Sequence, residues 1–300
     1  MRDPPQRGGV FPVKVLITGA EGQVAQALLR SAPKVAEVVA LSRGDLDITD
    51  SDSLSMTLAR TMPAVVINAA AYTAVDQAES EPGCALRVNG EAVGKLARHC
   101  ADRRVRLVHV STDYVFDGGK CTPYQVTDEP KPINVYGATK LEGERRITRQ
   151  PDLEYVVVRT AWVYSESGRN FLTTMLRLLS ERETVRVVAD QIGTPTSAWS
   201  LARCLWRCAL DGGPRAVLHY TDAGVASWYD FAQAIFEEAT AFGLVSKYVD
   251  VVPVQTCEYP TAARRPQFSV LEKRATLDRL DLKPTHWRVE LREMLKGMIK

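Results

Sequence analysis

Tyr136 and Lys140 stand four positions apart in N-V-Y-G-A-T-K-L-E-G-E, residues 134–144, at the head of an expected helix over 136–149. That spacing puts both side chains on one helical face. A free phenol titrates near ~10, which makes it a poor acid for protonating an alkoxide at neutral pH. A neighbouring ammonium favours the phenolate and lowers that value, toward the range that general acid catalysis needs. Upstream, the apolar run 105–110 ends in Ser111 and Thr112, as a buried strand does when it delivers hydroxyls to a cleft. Thr112 is thereby a candidate for orienting a substrate carbonyl. Tyr-x-x-x-Lys alone is also satisfied by a packed tyrosine and a solvated lysine. Its position after a Ser-Thr strand end, in a chain that opens with a glycine-rich turn, gives it weight.

Those side chains need a scaffold, and the chain alternates strand and helix from residue 13 onward. The run 13–18 (V-K-V-L-I-T) reads as a strand buried on both faces. It enters Gly19-x-x-Gly22-x-x-Ala25 and then a helical pattern. The first glycine permits a tight turn, the second lets backbone approach a pyrophosphate, and the helix N-terminus faces the anion. Further strands are expected at 35–41, 64–71 and 155–160, with helices at 51–62 and 82–103. This pattern predicts an α/β fold, a Rossmann-type doubly wound parallel sheet. Beyond Val163, helices at 170–182, 198–210, 227–242 and 287–298 alternate with short strands at 185–189, 216–220 and 249–254. The expected organisation is a disordered lead-in (1–12), a dinucleotide-binding domain (13–165), and a smaller C-terminal substrate region (166–300) with some elements crossing back to the sheet.

The second strand ends at Leu41-Ser42-Arg43, where a dinucleotide fold meets the adenosine ribose. An acidic residue there would bind free ribose hydroxyls and repel a 2′-phosphate. Asp45 and Asp47 lie further on, while Arg43 offers a planar fork suited to phosphate and Ser42 a hydroxyl donor. NADPH is the expected cofactor, with NADH possible.

A formal net charge of +2 gives no electrostatic case for nucleic acid or a membrane surface, and no apolar run approaches the ~20 residues of a membrane span. Six cysteines without a paired pattern point to a reducing compartment, most simply the cytoplasm. Cys204 and Cys208 lie one helical turn apart, but none of the four histidines falls at ligand spacing from them, so buried thiols are expected and no metal.

Segments quoted in order over nearly the whole chain resemble the dTDP-4-dehydrorhamnose reductase family: N-A-A-A-Y-T-A-V-D (68–76), S-T-D-Y-V-F (111–116), N-V-Y-G-A-T-K (134–140), R-T-A-W-V-Y (159–164), D-Q-I-G-T-P-T (190–196), W-Y-D-F-A (228–232) and Y-P-T-A-A-R-R-P (259–266). The resemblance implies an extended short-chain reductase that makes dTDP-L-rhamnose from its 4-keto precursor. It implies Tyr136 as proton donor, Lys140 as its ribose-binding partner, and Thr112 at the 4-keto group. Gly22, Gln23 and Val24 would meet the pyrophosphate, and Asp47 and Ile48 the adenine. Ala71, Tyr72, Thr73 and Val110 would line the dinucleotide, while Asp113 and Trp162 would touch the sugar nucleotide.

Related sugar-nucleotide dehydratases carry an acidic residue at position 114. Tyr114 leaves no Asp-Glu pair for eliminating water, which favours plain reduction. For the diphosphate, Arg264 and Arg265 are candidate cations, and Asn170 and Gln191 candidate base or phosphate contacts. The family's intersubunit Mg²⁺ carboxylates align with Ala27, Trp199 and Gly297, none a ligand for a hard cation. A monomer or homodimer is expected. The scaffold also resembles the non-catalytic regulatory subunit of methionine adenosyltransferase, and another nucleotide-sugar reductase is a further alternative. Retention of Thr112, Tyr136 and Lys140 favours an enzyme.

Overall fold

Alternate residues of β1 (Val13–Thr18) face two different cores: Val15 and Ile17 enter one, Leu16 the other. A strand apolar on both faces belongs inside a sheet covered by helices on both sides. The computed structural model describes residues 12–299 apart from Gly212, so the expected lead-in lies, except for Pro12, outside the described residues.

After β1 come α1 (Gln23–Arg30), β2 (Ala36–Leu41), α2 (Ser51–Thr61), β3 (Val65–Asn68), α3 (Val75–Ser80), α4 (Pro82–Leu86) and α5 (Ala92–Asp102). Next are β4 (Arg106–Thr112), α6 (Val135–Thr148), β5 (Tyr155–Thr160), β6 (Val163–Tyr164) and α7 (Phe171–Glu181). The chain continues through β7 (Thr184–Val188), β8 (Ile192–Gly193), β9 (Thr196–Ser197), α8 (Ala198–Leu210) and β10 (Ala216–His219). It ends with β11 (Ala226–Ser227), α9 (Trp228–Ala241), β12 (Asp250–Val254), α10 (Arg274–Leu280) and α11 (Trp287–Gly297).

Six strands form one parallel sheet in the order β10-β5-β4-β3-β1-β2. Helices α1 and α8 cover one face through Leu28, Leu201 and Leu205, with Leu280 of α10 added. Helices α2 and α5 cover the other through Leu54, Leu58, Val93 and Leu96, joined by Ile147 of α6. A further core unites α7, α9 and α11 with the parallel pair β7 and β12, around Leu172, Phe231, Val251 and Leu291. The strand order runs one way from β1 to β2 and the other from β1 to β3, so a crevice opens between them at the strands' C-terminal ends.

Two departures from the expected elements shape the crevice. The third strand stops at Asn68 rather than Ala71, because its pairing with β1 ends at Thr18 and with β4 at His109. The helix expected over 82–103 is broken by a π-helical turn at Arg87–Glu91. Helices α3 and α10 are short and lack strong apolar periodicity, which left them illegible in the sequence.

Candidate active site

A cavity of about 800 Å³ lies over the C-terminal ends of β1, β3 and β4. On its dinucleotide side, Gly19 has φ +73°, and a Cβ there would sit 2.8 Å from Cα of Ala70. Glycine satisfies both the turn and the close approach. Gly22 caps α1 without a side-chain bond, and no acidic residue occupies the first turn. Gly22 N closes the turn by donating to Gly19 O at 2.9 Å, and the helix presents the unclaimed backbone N–H groups of Gln23 and Val24 where all three residues line the cavity. Gln23's side chain is occupied elsewhere: its Nε2 donates to Val163 O at 3.0 Å and its Oε1 accepts from Ser165 Oγ at 3.3 Å.

Arg43, Asp47 and Ile48 line the far end. Asp47 accepts from Thr49 N and Oγ1 at 2.9 and 2.8 Å, which holds its carboxyl below the usual range. The Arg43 side chain is 83% exposed, with Nε 3.8 Å from Asp47 Oδ2. One expectation changes here. Asp45 folds back to the strand end, where its Oδ2 accepts from Ser42 N at 3.0 Å and Ser42 Oγ at 2.6 Å. Ser42's hydroxyl is thus already donated to a carboxylate, and Arg43 alone remains to meet a phosphate.

Ala71, Tyr72 and Thr73 form the next wall. Fully buried Asn89, carried by the π-helical turn, clamps it: Tyr72 N donates to its Oδ1 at 2.9 Å, and its Nδ2 donates to Tyr72 O at 3.0 Å. Sequence reasoning missed Asn89. An asparagine inside a helical pattern was the available signal.

Thr112, Tyr136 and Lys140 meet at the same cavity. Asn134 caps α6, its Oδ1 accepting from Gly137 N at 2.7 Å, which starts the helix one residue before Tyr136. Thr112 Oγ1 donates to Asp113 Oδ1 at 3.1 Å and accepts from Tyr114 N at 3.1 Å. Buried Lys140 directs Nζ to Val110 O at 2.6 Å and lies 3.3 Å from His109 Nε2. This corrects the simple ammonium–phenol picture, since the lysine is anchored on a backbone carbonyl and makes no hydrogen bond to the phenol. Burial, with Asp113's charge behind it, pushes the Tyr136 phenol up to about 12, and burial pushes Lys140 down to about 8 against the opposing pull of Glu144. Asp113 is 2% exposed and its Oδ2 has no partner; burial raises its carboxyl to about 7.

On the substrate side, Trp162 holds φ +47° and stacks on Trp228, with centroids 3.5 Å apart and planes 6° off parallel. Phe171 tilts against Trp228 at 4.7 Å, and all three rings line the cavity together with Tyr114. Trp228 was quoted only as part of a motif; its place here comes from α9 packing against the loop after β5. The candidate cations separate. Arg265 lines the cavity but is engaged by Asp76 through two bonds of 3.0 and 2.7 Å. Arg264 is exposed outside the lining and contributes only its carbonyl, to Asn134 Nδ2 at 2.8 Å. Gln191 also lies outside the lining, its Nε2 donating to Thr256 Oγ1 at 3.1 Å. Asn170 lines the cavity, but its amide caps α7 and donates to Ser165 O and Ser167 O at 2.9 and 3.1 Å. Arg169, which sequence reasoning passed over, lines the cavity and makes no ion pair among the described residues.

Among the described residues no group of three or more His, Cys, Asp or Glu side chains is placed to hold a metal ion. No helix among them is long and apolar enough to cross a membrane. Ala27 is packed in the sheet core, and Trp199 donates Nε1 to Glu166 Oε2 at 3.1 Å.

Comparison with known proteins agrees with this geometry. The family model described as RmlD substrate binding domain matches residues 13–299. A dTDP-4-dehydrorhamnose reductase of Burkholderia thailandensis is 44% identical over 288 residues, covering 92% of this chain and 96% of that protein. One from Salmonella typhimurium is 38% identical, covering 95% of this chain and 98% of its own. The crystal structure of dTDP-4-dehydrorhamnose reductase from Bacillus anthracis in complex with NADP superposes with a TM-score of 0.89 at 33% identity, over 96% of this chain and 100% of that one. A UDP-glucose 4-epimerase of Thermus thermophilus, 17% identical with a TM-score of 0.79, shares the fold. With the glycine turn, the Thr112–Tyr136–Lys140 cluster and these relatives in agreement, the chain belongs to the dTDP-4-dehydrorhamnose reductase family.

Proposed function

We propose that this protein reduces the 4-keto group of dTDP-4-dehydro-L-rhamnose to give dTDP-L-rhamnose, using NADPH. The convergence of Thr112, Tyr136 and Lys140 on one cavity, beside a glycine turn and a tryptophan platform, carries the reading. The fit to a dinucleotide rests on Gly19, where any Cβ would strike Ala70, and on the uncapped start of α1. Gln23 and Val24 would hold the diphosphate through backbone N–H groups where Gly22 lets it approach, Ala71–Thr73 and Val110 the middle of the dinucleotide, and Arg43, Asp47 and Ile48 its adenosine end. NADPH, when bound, supplies the hydride.

The chain's residues supply the rest. Tyr136 Oη holds the carbonyl oxygen and gives it a proton as negative charge develops there, and Thr112 Oγ1 joins it by turning its hydrogen from Asp113 Oδ1 to the substrate. Lys140, fixed on Val110 O, places positive charge behind the resulting phenolate. Elimination would need a carboxylate where Tyr114 stands, and reduction needs none. Asp113, with a free carboxyl oxygen, suits a sugar hydroxyl, and the Trp162–Trp228 stack suits a sugar or base face. Arg169 and Arg265 are the cavity cations for the nucleoside diphosphate. In this reading the sheet half holds the cofactor and the core of α7, α9 and α11 backs the sugar-nucleotide half.

The test is NADPH oxidation with dTDP-4-dehydro-L-rhamnose made in situ. Turnover is expected, and Tyr136→Phe should lower it by roughly 10² or more, the scale of a lost general acid, with NADPH binding near normal. Cofactor binding without turnover in the parent protein would make it a binding subunit, and full activity in Tyr136→Phe would remove the phenol from the chemistry.

A further inference from the structure

Behind the cavity, three buried polar residues stand side by side on adjacent strands. Thr18 of β1 is in register with Asn68 of β3, and Asn68 with His109 of β4. All three are at most 1% exposed, on the sheet face that carries α6. They form a hydrogen-bonded ladder. Thr18 Oγ1 donates to Asn68 Oδ1 at 2.6 Å, Asn68 Nδ2 lies 3.0 Å from His109 Nδ1, and His109 Nε2 lies 3.3 Å from Lys140 Nζ. A polar row at this depth is costly unless every member is satisfied.

The direction of the ladder follows from one backbone group. Ala70 N–H can only donate, and it points at Asn68 Oδ1 at 3.3 Å. Reversing the Asn68 amide would set its NH₂ against that donor. Asn68 Nδ2 therefore donates to His109 Nδ1, which must be bare. A neutral imidazole then carries its proton on Nε2 and presents an N–H to Lys140. An imidazolium is excluded by the same contact, because its Nδ1–H would meet the Asn68 NH₂.

We propose that His109 is a positioning residue for the proton transfer, fixing by its tautomer which hydrogen faces Lys140 and so how readily Lys140 holds its own proton beneath Tyr136. Facing Nε2–H, a Lys140 amine can accept from His109 while donating to Val110 O, so the ladder makes the ammonium that backs the phenolate easier to deprotonate. As an ammonium it must turn all its hydrogens away from the imidazole. Of the other ionisable groups on the flanking elements, Glu142 and Arg146 of α6 pair with each other, Arg145 is exposed and Arg106 of β4 pairs with Glu154, which leaves Tyr136 and Glu144 of α6, Asp113 after β4, and Arg159 of β5, whose Nη2 pairs with Glu144 Oε2 at 2.7 Å. With Glu144 so engaged, His109 is the neighbour whose hydrogen placement decides the lysine's state. This deepens the proposed reading of Tyr136 and Lys140 and rests on it.

Two measurements test the inference. A proton–nitrogen correlation spectrum of the histidine side chains, with His109 assigned by its loss in His109→Gln, should show the Nε2–H tautomer unchanged between about pH 5 and 8, where an ordinary histidine titrates. A bare Nε2, or titration of the ring in that range, overturns it. In folded His109→Gln, an amide oxygen can face the lysine, and the alkaline limb of kcat/KM for the keto sugar should move up by roughly one pH unit, the scale of one local hydrogen-bond change. A limb that stays in place overturns the proposal. If Tyr136→Phe were fully active while His109 showed the Nε2–H tautomer, the reading of the active site would fail and the ladder would stand. The opposite pair of results would remove the ladder's role alone.

Discussion

Gly137→Ala should damage catalysis far more than stability. A Cβ at Gly137 would lie 2.0 Å from Tyr114 O, and ordinary contact begins near 3.4 Å, so helix α6 and the turn after β4 must part by about 1.4 Å. Tyr136 and Lys140 ride on the helix, while Asp113 lies on the turn and Thr112 at the strand end that leads into it. Misplacing reacting groups by ~1 Å costs on the order of 10²-fold in rate. Overpacking costs about 1–3 kcal/mol, and replacing a helical glycine returns up to ~1 kcal/mol. The net loss is about 0–2.5 kcal/mol, a fall in melting temperature of at most about 10 °C at ~2–4 °C per kcal/mol. The assay pairs NADPH-oxidation kinetics with thermal unfolding of the same preparation. Gly83→Ala, whose Cβ would meet nothing within 4 Å, is the control expected to leave both unchanged. Near-normal turnover in a folded Gly137→Ala protein would refute the claim that close contact between α6 and the turn sets the catalytic geometry.

Arg43→Ala should weaken NADPH about fivefold, or ~1 kcal/mol for an exposed, solvent-screened contact, and leave NADH almost unaffected; equal losses by fluorescence titration would show that Arg43 reads no phosphate. Asp113→Asn should change the pH dependence of stability. A carboxyl raised from 3.8 to about 7 binds its proton more tightly folded than unfolded, so the parent loses stability as pH rises across that window. The variant should gain on the parent in melting temperature from pH 4 to pH 7, and parallel curves would contradict the buried-carboxyl account. Chelation of divalent cations should change neither turnover nor the sedimentation profile, since Ala27, Trp199 and Gly297 offer no carboxylate; loss of activity restored by Mg²⁺ would reveal a site formed otherwise.

Strand and helix alternation, the Gly19–Gly22 turn and the Tyr136/Lys140 spacing were legible in the sequence because each depends on local periodicity or backbone freedom. A buried parallel strand must be apolar on both faces, and a four-residue helical repeat must align two side chains wherever the helix sits. The sequence alone therefore determined the fold class and the placing of Tyr136 and Lys140 on one helical face. It could not determine the partners those side chains take. That Lys140 rests on Val110 O with His109 behind it, that Asn89 clamps Tyr72 from a π-helical turn, and that Asp45 closes on Ser42 all depend on chain contacts in three dimensions. Arg265 lies 189 positions from Asp76 and Trp228 lies 66 from Trp162. Arg264 and Arg265 look alike as neighbours in a loop, yet packing sends one to solvent and the other to the cavity. Side-chain direction in a loop follows from what the loop packs against, and only the tertiary structure decided that.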